Sequence, residues 1–204
     1  MQLTFLGHSG FQIKTNNKII YIDPYSPHAK LEKADIILIS HFDFDHFNEQ
    51  SIRKIENRNT KVFSTKEVSS RILGCKAVKA GDKESVDGVM LEFVKATNPE
   101  HSEIVGFIIS IGSKKIYFTS DTKYLQELES IHADIVIISV GGHTTMNYKT
   151  AAELVNKIQP MYAIPCHFGD LEGTIDDALK FKNLVESSRK TKVFVMKEFE
   201  TVEL

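Results

Sequence analysis

The sequence predicts an α/β protein built from two similar halves. Runs of strand-forming residues alternate along the chain with segments of helical periodicity. In the first half NKIIYIDPYS precedes ADIILIS, which begins at Ala34; in the second, KKIYFTSDTKY precedes ADIVIIS, which begins at Ala133. In both copies a strand ends at an aspartate, Asp23 or Asp121. We interpret this echo as two strand–connector–strand halves, although two buried strands of similar composition could also match by chance.

The strands are predicted where apolar residues alternate with polar ones or run together between turn residues. In chain order they cover residues 2–6, 11–14, 18–22, 34–40, 86–96, 104–111, 115–119, 134–139, 161–165, 192–196 and 200–204. Helices are predicted over residues 50–56, 67–73, 124–131 and 148–158, and a last long helix begins at residues 174–177. Asn147 is placed to cap the helix over 148–158. No linker separates the halves, so we expect a single domain over residues 1–204.

The composition excludes several classes of protein. The chain has 204 residues, 25 basic and 27 acidic side chains and a net charge of -2, which argues against a non-specific binder of nucleic acid or anionic membranes. No apolar run approaches the roughly 20 residues of a membrane-spanning helix, and the N-terminus lacks the pattern of a signal peptide. We therefore expect a cytoplasmic protein that does not bind a membrane.

The chain has 8 histidines and only 2 cysteines, and this limits any metal site. Cys75 and Cys166 are too few for a thiolate zinc site, and they do not indicate a disulfide framework. A bound metal would have to be held by imidazole and carboxylate groups.

The strongest local signal directly follows the first buried strand, where His41, Asp43, Asp45 and His46 occur within six residues. In open α/β folds, side chains at the carboxyl ends of strands face a crevice. Four ionisable groups at such a place need something to offset their repulsion and desolvation, and a metal ion does so. A plain loop with a helix cap is the alternative.

The spacing of this motif also predicts a direction for each side chain. In an extended segment alternate residues share a face, so His41, Asp43 and Asp45 would point together, and His46 would join them if the chain turns. Phe42 and Phe44 would then point the other way into apolar packing.

His-x-Asp-x-Asp-His resembles the His-x-His-x-Asp-His signature of the metallo-β-lactamase superfamily. Further motifs match in order over nearly the whole chain: an aliphatic strand ending at Asp23, His101 in NPEH, Asp121 in YFTSD and His167 in AIPCHFG. The segments LGHSG, which contains His8, and GGHTTM, which contains His143, are similar to the branch with the ascorbate-6-phosphate lactonases and many uncharacterised hydrolases. The resemblance implies a four-layer αββα sandwich of two mixed β-sheets.

The resemblance also implies two adjacent divalent metal ions. The implied ligands are His41, Asp43 and His101 for the first ion, Asp45, His46 and His167 for the second, and Asp121 as a bridge. Most relatives have histidine at the position of Asp43. Since carboxylate is a harder ligand, zinc is favoured but manganese or iron are alternatives. Flavodiiron relatives carry a carboxylate there too, but this chain has no room for their flavin domain.

The function implied is hydrolysis of a small anionic ester, lactone or phosphodiester by metal-bound hydroxide. Asp45 could orient that hydroxide, and Asp23 could support a ligand histidine or simply form an Asp-Pro turn. His8 and His143 follow strands in glycine-containing loops, so they could bind the substrate or protonate the leaving oxygen, or be ordinary loop residues. His28 and His132 match no motif, and we expect both at the surface.

Two other functions stay open. One is a nuclease of the same superfamily, which the near-neutral charge and the lack of a basic and aromatic cluster disfavour. The other is a metal-binding or sensing protein without catalysis, with Asp43 marking the lost activity. We expect a small-molecule substrate and not nucleic acid as the partner, and the oligomeric state is open, a homo-oligomer included.

Overall fold

Within residues 1–25, 31–169 and 171–204, which this computed structural model describes, the chain forms two units with one seven-stranded β-sheet each. The first unit comprises Met1–Lys79 and Met196–Leu204, and the second comprises Ala80–Val195. The prediction of an α/β fold with two mixed sheets is confirmed. The single domain over residues 1–204 stays a prediction.

The sheet of the first unit has the strand order β14-β1-β2-β3-β4-β5-β6. The pairings from β14 to β3 are antiparallel, and those from β3 to β6 are parallel. The strands are β1 (Gln2–Gly7), β2 (Gly10–Lys14), β3 (Ile19–Ile22), β4 (Ile36–Ile39), β5 (Lys61–Ser64), β6 (Cys75–Ala77) and β14 (Thr201–Glu203). Helix α1 (Glu49–Ile55) connects β4 to β5, and α2 (Lys66–Ser69) connects β5 to β6.

The sheet of the second unit has the strand order β7-β8-β9-β10-β11-β12-β13. Its pairings are antiparallel from β7 to β10 and parallel from β10 to β13. The strands are β7 (Lys83–Val86), β8 (Val89–Lys95), β9 (Val105–Ile111), β10 (Lys114–Phe118), β11 (Ile135–Ser139), β12 (Tyr162–Cys166) and β13 (Lys192–Val193). Helix α3 (Tyr148–Ile158) connects β11 to β12, and α4 (Ile175–Glu186) connects β12 to β13.

Six strands of each unit, β1 to β6 and β8 to β13, repeat one topology, and the repeat extends to single hydrogen bonds. The aspartate of each ADI segment accepts a backbone N–H from the preceding strand: Asp35 Oδ2 from Ile19 at 2.8 Å, and Asp134 Oδ2 from Lys115 at 2.7 Å. The N–H of each aspartate in turn donates to the carbonyl of that same strand residue, at 2.8 and 2.9 Å. The internal echo in the sequence is therefore a structural repeat and not a chance likeness of two buried strands.

Each unit packs helices against its parallel strands. In the first, Ile52 and Ile55 of α1 and Val68 of α2 join the buried aliphatic residues of β4 in one cluster. In the second, Asn147 caps α3 by accepting the N–H groups of Lys149 and Thr150, as predicted. This packing holds the parallel strands, and hence their carboxyl ends, in fixed positions.

Some predicted elements differ from the structure. The helix predicted over 124–131 is a 3₁₀-helix at Gln126–Ser130, and the strand predicted over 86–96 is interrupted by a turn at Asp87 and Gly88. Both turn residues have positive φ, as the tight turn between β7 and β8 requires. Strands β5, β6 and β7 were not predicted, because they have three or four residues each and too few positions to show a period. Among the described helices, none is both long and apolar enough to cross a membrane.

Candidate metal centre

In the first unit, the predicted site residues follow the carboxyl ends of adjacent parallel strands. Asp23 comes directly after β3, and Ser40 and His41 come directly after β4. Asp23, Ser40 and His41 are fully buried. Their placement agrees with the expectation that α/β folds expose functional groups at this edge of a sheet.

Asp23 is the centre of a buried hydrogen-bond network. Its carboxylate accepts the backbone N–H of Ser40, the hydroxyl of Ser40 and Nδ1 of His46, each at 2.7 Å. Burial raises the pKa of this carboxyl group, against the lowering effects of His46 and Ser40. Such a carboxylate–histidine pair is the usual outer-sphere support of a metal-binding imidazole.

The same network sets the orientation of two histidines. Because the Ser40 hydroxyl donates its hydrogen to Asp23, its oxygen accepts from Nδ1 of His41 at 2.9 Å. Nδ1 of His46 likewise donates to Asp23. Each ring thus carries its proton on Nδ1 and its lone pair on Nε2, which is the form that a metal ion requires. The two ring centroids are 4.2 Å apart.

Two donor atoms in this unit are separated by nearly the distance expected for two ligands of one zinc ion. Nε2 of His46 lies 3.7 Å from Oδ2 of Asp45. Two ligand atoms bound tetrahedrally at about 2.1 Å from one zinc ion lie roughly 3.4 Å apart, so a small movement suffices. More widely, the described residues include groups of His and Asp side chains that could hold a metal ion.

His8 also lies at Asp45. Its Nε2 is 2.8 Å from Oδ2 of Asp45, and its side chain is almost completely buried. The hydroxyl of Ser9 donates to the main-chain carbonyl of Asp45 at 2.7 Å, which holds this residue from a second side. The sequence predicted His8 as a substrate contact; the structure shows it in contact with a predicted ligand.

The motif itself is a turn and not an extended segment. The main-chain carbonyl of Asp43 accepts the N–H groups of His46 and Phe47, at 3.2 and 2.8 Å, so the chain reverses there. The prediction that Phe44 packs into apolar surroundings is wrong, since it is 71% exposed. Phe42 does pack, against Phe47 and under the guanidinium of Arg71. The turn brings His46 back to Asp23, and an extended chain could not do this.

In the second unit, the predicted residues again follow parallel strands. Asp121 follows β10 and His167 follows β12, and Nε2 of His167 lies 2.8 Å from Oδ2 of Asp121. The hydroxyl of Ser139, at the end of β11, donates to Oδ1 of Asp121 at 3.3 Å. Asp121 and His167 are almost completely buried.

Strained backbone marks the same strand ends in both units. His8, Asp23, Ser120 and His167 have positive φ values of 48°, 42°, 57° and 58°. Residues other than glycine rarely adopt this conformation, and each such residue costs on the order of 1–3 kcal/mol. His8, Asp23 and His167 are predicted site residues, and backbone strain of this kind is common at functional sites, where it sets the direction of a side chain. The other described non-glycine residues with positive φ lie outside the site: Asp87, Gln159, Arg189 and Phe199.

Glu172 is a site residue that the sequence analysis missed. Its Oε2 lies 2.8 Å from Nδ1 of His167, and its Oε1 accepts the backbone N–H of His143 at 2.7 Å. Burial acts to raise the pKa of Glu172, but hydrogen bonding to His167 and to the N–H of His143 outweighs it, so the pKa is lowered.

The other predicted residues of this unit lie in loops. His101 is half-buried in the connection between β8 and β9, where the N–H of Thr97 donates to the hydroxyl of Thr122. His143 is exposed in the loop after β11. His132 is exposed, as expected, whereas His28 lies outside the described residues. Cys166 is fully buried, in agreement with its interpretation as a small core residue.

The sequence did contain a signal for two more of the missed residues. Ser40 and Ser139 are the last residues of the repeated ADIILIS and ADIVIIS segments, and each donates to a site aspartate. A repeat that preserves a terminal serine after aliphatic residues indicates a polar role at the strand end. Glu172 belongs to no repeated segment, and its partners are the side chain of His167 and the backbone N–H of His143, which lies 29 residues away.

Comparisons with known proteins agree with this geometry. A family model described as "Beta-lactamase superfamily domain" matches residues 2–167. A UPF0173 metal-dependent hydrolase of Pelotomaculum thermopropionicum is 30% identical, with both chains covered completely. Another, from Thermoplasma acidophilum, is 31% identical over 90% of each chain. The chain therefore belongs to the β-lactamase superfamily, among the UPF0173 metal-dependent hydrolases.

Solved structures show the same fold. Igni18, a metallo hydrolase from Ignicoccus hospitalis, is 25% identical, with a TM-score of 0.85 and coverage of 98% of this chain and 97% of that one. The metallo-β-lactamase fold protein YhfI from Bacillus subtilis is 15% identical, with a TM-score of 0.81 and 98% of each chain covered. The predicted metallo-β-lactamase fold is thus confirmed, and the names of the relatives support a metal-dependent hydrolase.

Proposed function

We propose that the chain is a hydrolase that uses two divalent metal ions to cleave a small anionic ester, lactone or phosphodiester. The proposal rests on two histidines that each contact a carboxylate through Nδ1: His46 contacts Asp23, and His167 contacts Glu172. Nε2 of His46 lies near Asp45, and Nε2 of His167 lies near Asp121. Purely structural histidines do not need this arrangement in both halves of a repeat. The names of the relatives support the same reaction class.

The proposed ligands are those that the motifs predict, and zinc is the favoured metal. They are His41, Asp43 and His101 for one ion, Asp45, His46 and His167 for the other, and Asp121 for both. Bound divalent ions supply a Lewis acid for the substrate oxygen and lower the pKa of water. Asp43 adds a hard carboxylate to the set, so manganese or iron are the alternatives.

In this proposal Asp45 accepts the proton of the attacking water, and His8 supports Asp45. Asp45 orients the water and accepts its proton on a carboxylate oxygen, while a proton on Nε2 of His8, 2.8 Å from Oδ2 of Asp45, holds that carboxylate in place. The buried position of both side chains excludes bulk water from this transfer. The proton finally leaves with the alcohol of the cleaved ester.

We propose that His143 contacts the substrate. It is exposed, and its backbone is held by Glu172 and by Lys123, whose Nζ donates to the carbonyls of His143 and Thr145 at 2.6 and 3.0 Å. A loop fixed on both sides presents the imidazole in a defined place, where it can donate to an anionic group or to the leaving oxygen.

A substrate panel tests this proposal. Zinc-loaded and manganese-loaded protein is assayed against a chromogenic phosphodiester, a carboxylic ester, a phosphorylated lactone and a short RNA. We expect turnover of at least one small ester or lactone and none of the RNA. Cleavage of RNA alone would favour the nuclease, and binding of metal without turnover of any substrate would favour the non-catalytic alternative.

A further inference from the structure

We infer that Glu172 is a positioning residue that couples a metal ligand to the substrate loop. One of its carboxylate oxygens fixes the ring of His167, and the other fixes the loop over residues 141–146 that carries His143. The inference rests on the proposed function, in which His167 is a ligand and His143 meets the substrate.

The first contact sets the ring of His167. Oε2 of Glu172 lies 2.8 Å from Nδ1 of His167, on the opposite side of the imidazole from Asp121. An ionised carboxylate can only accept, so it keeps the proton of His167 on Nδ1. Nε2 is then the atom with the lone pair for a metal ion. Asp23 does the same for His46 in the first unit.

The second contact fixes the loop. Oε1 of Glu172 accepts the backbone N–H groups of His143 and Thr144, at 2.7 and 3.3 Å. On the carbonyl side, Nζ of Lys123 holds the same loop. The loop is therefore held between the carboxylate of Glu172, which accepts its N–H groups, and the ammonium of Lys123, which donates to its carbonyls. Both contacts involve only the backbone of the loop, and the side chain of His143 stays exposed.

Two glycines allow the loop to come this close. A Cβ at Gly141 would lie 2.8 Å from Nδ1 of His167 and 3.0 Å from Cδ of Glu172. A Cβ at Gly173, which has a φ of 64°, would lie 2.9 Å from Cα of Gly141. A side chain at either position would push the loop away from Glu172. The contact between Glu172 and the loop therefore depends on glycine at both positions.

A carboxylate is required because both of its oxygens must accept. Glutamine has nearly the same shape but offers one acceptor and one donor group. If its oxygen accepts from the loop, its NH₂ faces Nδ1 of His167 and forces the proton onto Nε2. If the amide is reversed, its NH₂ faces the backbone N–H groups of His143 and Thr144. Glu172→Gln therefore breaks one contact and leaves the packing unchanged.

The test measures zinc affinity and amide hydrogen exchange in the full chain, for Glu172→Gln, Glu172→Ala and the control Glu127→Gln. Glu127 forms an exposed ion pair with Lys95, at 3.3 Å, in the same unit. For Glu172→Gln we expect zinc affinity to fall about 10–100-fold by competition with a chelator. For Glu172→Ala we expect the amides of His143 and Thr144 to exchange about tenfold faster or more without metal. The control should match the wild type in both.

The outcomes separate this inference from the proposed function. Wild-type protein that binds none of zinc, manganese and iron would overturn the proposed function, yet the exchange at His143 and Thr144 would still test the loop contact. Wild-type zinc affinity in Glu172→Gln and Glu172→Ala would overturn the ligand contact. Unchanged exchange in Glu172→Ala would overturn the loop contact. Faster exchange throughout the chain would show a general loss of stability and would also overturn the inference.

Discussion

Replacing His46 by alanine is expected to remove a metal ion and to reduce hydrolysis to the background rate. His46 is fully buried, and its Nδ1 is bound to Asp23. Its Nε2 faces Asp45, which is predicted to bind the same ion. Without the imidazole, the proposed second ion loses a neutral nitrogen ligand, and the carboxylates that remain do not replace it. Metal content and turnover of the purified variant measure both effects.

A companion variant and a control make this result specific. Because alanine leaves Asp23 without one of its three donors, the variant could also unfold, so Asp45→Asn is measured beside it. Asp45→Asn preserves the shape of the side chain and should lose turnover with the fold intact. His132→Ala, at an exposed histidine of no motif, should behave as the wild type. Full activity in either site variant would remove the assignment of this turn as part of the site.

Replacing Asp23 by asparagine is expected to weaken metal binding about 10–100-fold and to destabilise the metal-free protein by about 1.5–3 kcal/mol. Three donors converge on the Asp23 carboxylate, and an amide can accept from only one side. The amide NH₂ must face either the N–H of Ser40 or the pair formed by the Ser40 hydroxyl and His46. In the second case His46 carries its proton on Nε2, where it blocks the metal. Chelator competition and denaturant unfolding measure the two effects.

Asp35→Asn is the matched control for Asp23. Asp35 also lies beside the end of a strand of the first unit and accepts one backbone N–H, that of Ile19, which asparagine can still accept. We expect this variant to bind metal as the wild type does. If Asp23→Asn also bound metal with wild-type affinity, the role of Asp23 as the support of His46 and His41 would be wrong.

The fold could be predicted from the sequence because its two halves repeat one pattern. The two ADI segments lie at equivalent places in the two sheets, next to strands of the same direction. The two aspartates do not: the position equivalent to Asp23 is Thr119, and Asp121 lies two residues further along the chain. The long helix over 148–158 was also predictable, since its periodicity and its Asn147 cap are local signals. Short strands such as β6 could not be predicted. Three residues are too few to show a hydrophobic period, and such a strand forms because it pairs with its neighbour.

The candidate site was predictable only where its residues follow one another in the chain. His41 to His46 form a local motif that the sequence shows. The turn at Asp43 depends on backbone hydrogen bonds, which the spacing of residues does not reveal. The prediction that Phe44 is buried was therefore wrong. Glu172 was missed because its role depends on contact with His143, which lies 29 residues away in the chain. Supporting residues of this kind are defined by the folded structure and not by a pattern of residue types.

Dependence of hydrolysis on two bound metal ions is tested by the metal content of protein purified without added metal, with hydrolysis measured on the same samples before and after chelation. We expect two divalent ions per chain, loss of hydrolysis when they are removed and its return when they are restored. Protein that holds no metal and still hydrolyses the substrate at an undiminished rate would contradict this expectation.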